Sequence, residues 1–194
     1  MAPPSRRHGF IRVLLFLGPS VAVAAWLVIL ASWWLNRGWF IYTRHAFSDL
    51  GGPRSCCPGL YNYGLIVLGT LFSLYGIGVT IRARTKLGVV GGGYIVIAGI
   101  FLALIGVFPA GTRHHVCVST WFFIQSYLGL ILVLAEAARH SKAAKYALIS
   151  MLASIPAGIA IALWPGWPSA AVLETYLILF IDIAVIVTAA SLLK

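Results

Sequence analysis

Acidic side chains are scarce in this 194-residue chain, which has four Asp and Glu against fourteen Lys and Arg. Charged residues of both signs make up 9% of the sequence, where a soluble domain carries roughly 25%. A water-covered surface is therefore excluded. Strand-like alternation is missing too: the apolar residues come in unbroken runs, which excludes a transmembrane β-barrel. No Cys-x-x-Cys pair exists to serve a quinone-linked thiol oxidoreductase. None of the five histidines lies deep in an apolar run, so the facing histidine pairs of a di-haem membrane cytochrome are absent. The net charge of +10 is scattered in small groups between apolar segments. It forms no basic surface of any length, and nucleic acid is not a partner this chain suggests.

What remains is lipid-soluble helix. Mean hydropathy is +0.97, and the length allows about six spans of roughly 20 residues in one domain. The fold class read from this is all-α: a single polytopic bundle over residues 1–194, with spans near 11–35, 60–81, 87–108, 116–138, 146–163 and 171–193. Arg6, Arg7 and Arg12 before an apolar run imitate a signal peptide. The run continues to Leu35 without a small-residue cleavage site, however, so it is expected to stay as the first span. Gly18-Pro19 predicts a kink in that span, and Pro156 lies inside the fifth. Trp33, Trp34 and Trp39 mark one interface.

Ten of the fourteen Lys and Arg fall at the chain ends and after the second and fourth spans. The positive-inside rule then puts both termini in the cytoplasm, in the cell membrane, and turns the central loop outward. Small residues four apart, as in Ser154, Gly158 and Ala162 or Gly99 and Ala103, suit close helix packing in lipid.

In this orientation the informative polar residues share the outer half. The central stretch contributes His45, Ser48 and Asp49, and the loop after span three contributes Arg113, His114 and His115. Asn62 and Glu174 sit at the outer ends of spans, Gln125 about 10 Å into span four, and Asp182 in the middle of span six. His45, Ser48, Asp49, His114, His115 and Glu174 are the candidate catalytic set, with Asn62, Arg113, Gln125 and Asp182 as candidate binding residues. Each has a plainer reading. Asp49 before two glycines is ordinary turn chemistry, but His45 and Asp49, four apart, would share a helical face for acid–base work or for a metal shared with His114 or His115. A carboxylate at mid-bilayer costs about 2.5–3.5 kcal/mol on the insertion scale, so Asp182 must turn into the bundle, either for an interhelical hydrogen bond or for a substrate or proton site. Glu174, eight residues earlier, can border the same groove. Glu136, ahead of Arg139 and His140, reads as a solvated helix-end pair. Cys56 and Cys57, and Cys117 at the start of span four, are disulfide candidates, with one of the first two stapling the central loop to Cys117.

His45-Ala-Phe-Ser-Asp-Leu-Gly51, Tyr61-Asn-Tyr-Gly64, Gly106-Val-Phe-Pro109 with His114 and His115, and Leu173-Glu174 together resemble domain-of-unknown-function family 998, six-span membrane proteins found mainly in prokaryotes. A more distant similarity, in Ser48-Asp49-Leu-Gly51 and the later histidine, is to the eukaryotic DRAM-like group, which includes proteins that remodel the lipid of glycosylphosphatidylinositol anchors. The resemblance implies six helices and lipid-related work, and it assigns no catalytic residues, metal or cofactor. The first functional reading is lipid binding or lipid head-group modification at the outer leaflet. A non-catalytic small subunit or assembly factor, as a homo-oligomer or in a larger membrane complex, is the alternative. A proton-coupled transporter using Asp182 and Glu174 ranks behind both, because no inverted repeat is evident.

Overall fold

The structure, a computed structural model, describes residues 4–193. Helices α1 (Pro4–Leu35), α2 (Pro58–Arg82), α3 (Lys86–Val107), α4 (His115–Ala137), α5 (Lys142–Leu163) and α6 (Ala170–Leu192) are joined by short turns, apart from the central loop between α1 and α2. That loop holds one 3₁₀ turn, Phe47–Gly51. All six helices are long and apolar enough to cross a membrane, and the chain is a multi-pass membrane protein.

Helix starts follow local chemistry. Thr85, Ser141 and Ser169 each accept a backbone N–H from the first turn of α3, α5 and α6, satisfying donors that the helix itself leaves unpaired. Because Ser141 is the cap, α5 begins four residues before the apolar run that the sequence reading placed at Tyr146. Pro58 opens α2 in its first turn, where a missing N–H costs nothing. Pro19 lies within a continuous α1, and Gly18 beside it leaves room for the ring of Tyr75 on α2.

Consecutive helices α1 to α4 pack side by side, and α6 closes the ring against α4 and α1. Helix α5 lies outside, on α4 and α6. The α2–α3 contact is the most extensive. Its cause is a set of glycines seven residues apart: Gly69 and Gly76 on α2, Gly92, Gly99 and Gly106 on α3. Gly69 and Gly99 face each other, Gly76 meets the backbone at Ile95 and Val96, and Gly106 meets the Asn62 carbonyl. Two turns per repeat keep these small residues on one seam, where backbones approach and dispersion acts at close range. Gly99→Ala is therefore expected to cost about 1–3 kcal/mol of stability through overpacking. Gly93→Ala, where an added methyl meets nothing within 4 Å, should be neutral or stabilising by up to about 1 kcal/mol. Unfolding midpoints in detergent compare the two, and equal effects would contradict the seam.

One residue departs from the expected surface role. Glu136 is buried, and instead of pairing with Arg139 or His140 its carboxylate accepts from the backbone N–H groups of Arg84 and Thr85, 2.8 and 3.0 Å away, and from the Thr85 hydroxyl. The α2–α3 turn presents three donors to the end of α4, and hydrogen bonds to a buried carboxylate outweigh an exposed pair with Arg139 or His140.

Candidate functional site

The ring of α1, α2, α3, α4 and α6 surrounds a narrow cavity of about 90 Å³, and α5 contributes nothing to its wall. Ala22, Ala25, Phe72, Ile105, Phe122 and Ile178 make most of it apolar. Five groups break the pattern: Ser48, Tyr61, Ser119, Glu174 and Asp182. The α6 lining runs from Glu174 to Val185, so the hollow is about 16 Å long at helical rise.

The 3₁₀ turn of the central loop is the roof. Phe47 and Ser48 reach the cavity, with Phe47 packed edge-on against Trp26 at 6.3 Å between ring centroids. Four hydrogen bonds stitch this roof to the start of α6. The Phe47 N–H donates to Glu174 Oε2 at 2.8 Å, the Ala171 N–H to the His45 carbonyl at 3.0 Å, the Ser169 hydroxyl to the Tyr42 carbonyl at 2.6 Å, and the Tyr42 hydroxyl to Thr175 at 2.9 Å. At the other edge Asn36 is fully used. It donates to the Ser32 carbonyl and Ser55 hydroxyl, and accepts from the Trp39 indole and the Cys56 N–H. A buried side chain with that many partners fixes the path of the whole loop.

The candidate residues separate into two groups. Ser48, Glu174 and Asp182 come together around the cavity. Glu174 uses Oε2 on the roof, and Asp182 uses Oδ2 on the indole N–H of Trp26 at 2.8 Å. Each carboxyl keeps a second oxygen for a guest. The rest serve the scaffold. His45 accepts the Ile41 N–H on Nδ1 and is held against Trp39 and Phe40. Asp49 caps its own turn by accepting the Ala46 N–H at 2.9 Å, so the His45–Asp49 pair suggested by their spacing is replaced by two separate backbone contacts. The Asn62 side-chain amide donates to the Gly51 carbonyl, and Gly51 can lie against the Asn62 and Tyr61 side chains only because it has none of its own.

His115 hydrogen-bonds the Phe108 carbonyl at 2.8 Å, while His114 is exposed beside the Phe108 ring. Arg113 is exposed as well. Gln125 is buried with its Oε1 unpaired, away from the cavity wall. Among the described residues no three His, Cys, Asp or Glu side chains gather as metal ligands would. Cys56, Cys57 and Cys117 are free and exposed. The expected staple to α4 is not made; Cys56 instead meets Asn36 and the Leu35 carbonyl at the end of α1.

Asn36, Trp26 and Tyr61 are not among the candidate site residues named from the sequence, although Tyr61 lies in one of its motifs. Trp26 carried a usable signal: a tryptophan seven residues inside the first of the interfacial tryptophans, Trp33, needs an acceptor for its indole N–H in the bilayer. Asp182, the one acid at matching depth, supplies it.

No curated protein and no solved structure matches the chain. Residues 20–191 match the family described as "Protein of unknown function (DUF998)". The match runs from within α1 to the last turn of α6, and the chain belongs to the DUF998 family.

Proposed function

We propose that the protein binds a single-chain amphiphile in the central cavity, with the polar end of the guest under the 3₁₀ roof at Glu174, Ser48 and Tyr61 and its hydrocarbon among Ala22, Phe72 and Ile178. The observation that carries this reading is the chemistry of the wall: an elongated apolar hollow with two carboxyls, Glu174 and Asp182, two hydroxyls and a phenol among its lining, and no Lys, Arg or His. Carboxyl oxygens accept hydrogen bonds, and when ionised they repel anions and attract cations. The favoured guest thus carries a donor, a hydroxyl or an amine, rather than a carboxylate or phosphate. A narrow cross-section favours one chain over two. The Lys and Arg distribution supports a topology with this end on the outer face of the cell membrane, where the guest would come from the outer leaflet.

The test is direct. Protein purified in mild detergent is examined by native mass spectrometry and lipid extraction, then titrated with long-chain amines, alcohols and carboxylates of equal length. Retention of a neutral or amine-bearing single-chain lipid is expected, with amine bound at least about tenfold more tightly than carboxylate, the equivalent of one charge-assisted hydrogen bond. Glu174→Gln keeps an acceptor for the Phe47 N–H and should remove most of the amine preference while leaving alcohol binding in place. Protein that binds none of the three, or that purifies instead in stoichiometric complex with a larger membrane protein, would favour the subunit reading.

A further inference from the structure

At the opposite end of the bundle, where α2, α4 and α6 all stop, a second cavity of about 460 Å³ is lined by Arg82 and Arg84 at and just after the end of α2 and by Arg139, His140 and Lys142 at the α4–α5 connection. We propose that this cavity binds the phosphate of an anionic lipid head group from the adjoining leaflet. Basic residues at helix ends are ordinary topology signals when they lie on outer faces. Here five groups from two separate helix junctions face one hollow, of a size typical of small-molecule sites.

Among the described residues the cations of that hollow outnumber its single carboxylate. The chain has four acids, and Asp49, Glu174 and Asp182 belong to the roof and cavity at the other end. The fourth, Glu136, is in the wall, but its oxygens are taken by the N–H groups of Arg84 and Thr85 and by the Thr85 hydroxyl. Those contacts also anchor the segment that carries Arg82 and Arg84, so the cations stand on a fixed backbone. Helix α5 begins at Lys142 with Ser141 as its cap, and the cap fixes the backbone that carries Lys142 at the edge of the hollow.

Position selects the source of the phosphate. The ends of α2, α4 and α6 define the level where a bilayer places its head groups. A lipid phosphate is therefore presented to the site at high local concentration, whereas free phosphate must come from bulk water. Guanidinium groups also match phosphate geometry in pairs, which a zwitterionic head group with its own ammonium answers less well.

The experiment uses the full chain in detergent, titrated with phosphatidic acid, with phosphatidylcholine of the same chains, and with inorganic phosphate, read by native mass spectrometry and by the shift in unfolding midpoint. The pocket pair R84Q/R139Q is compared with K86Q/K145Q, which removes two charges at the same end from exposed residues outside the cavity lining. Phosphatidic acid is expected to bind at least about tenfold more weakly to the pocket variant and less than about twofold more weakly to the control. Should R84Q/R139Q unfold early, R139Q/K142Q, two exposed positions, carries the same expectation. Equal losses in pocket and control variants would overturn the site in favour of diffuse surface charge. Phosphatidylcholine bound as tightly as phosphatidic acid would overturn charge recognition. Inorganic phosphate bound as tightly as the lipid would overturn the lipid as its source.

Discussion

Glu136→Ala lowers the stability of the bundle by about 2–4 kcal/mol. Three donors, the N–H groups of Arg84 and Thr85 and the Thr85 hydroxyl, lose their acceptor together. Each unsatisfied buried donor costs about 1–3 kcal/mol, and water reaching them through the adjoining basic cavity recovers part of that sum. The effect is expected to spread beyond the turn, because Thr85 also caps α3 and the turn sets how α3 leaves α2. Glu136→Gln should fall between wild type and Glu136→Ala, since its amide offers one acceptor and sets a second donor against the remaining donors. Denaturant or thermal midpoints in detergent decide the point. A loss below about 0.5 kcal/mol for the alanine variant would restore the exposed ion pair with Arg139, since such surface pairs are worth little.

Ala22→Phe abolishes guest binding while leaving the fold intact. Ala22 is 7% exposed and lines the cavity from α1. A benzyl group there has nowhere to go but into the hollow, across the path of a hydrocarbon chain. The expected loss is at least about 100-fold in affinity, near 2.7 kcal/mol. Stability should hold or rise, since filling a void adds dispersion contacts instead of overpacking a dense core. Val23→Phe, the next residue, is the control: Val23 is 61% exposed on the outer face of α1 and its enlargement should change neither quantity. If both variants bind alike, the guest does not occupy the ring.

The six helices were legible because hydropathy alone carries them: no water is available to hydrogen-bond an apolar 20-residue segment, so it must be helical. Helix ends shifted where a polar cap lay before the apolar onset, as Ser141 does for α5. Glu174 and Asp182 could be placed on one groove from their eight-residue spacing, and both line the cavity. The histidines could not be sorted in the same way. His45 and His115 each meet a backbone group near in sequence, at Ile41 and Phe108, and such contacts depend on turn geometry that residue identity does not specify. The seven-residue glycine seam between α2 and α3 is present in the sequence, but four-residue spacing marks only Gly99 and Ala103 on it, besides Ser154, Gly158 and Ala162 on α5. Asn36 left no signal, because its role rests on Ser55 and Cys56 folding back across the loop.

The most direct measurement is photolabelling with a long-chain amine that carries a diazirine near its head and a second near its tail, followed by mapping of the modified peptides. A guest seated as proposed would label α6 between Glu174 and Val185 and α1 between Gly18 and Ile29, with the label competed by unmodified amine and lost in Ala22→Phe. Label confined to lipid-facing positions such as Val23, Leu27 and Ile183, without competition, would mean that the amphiphile never enters the ring and that the cavity is a packing void.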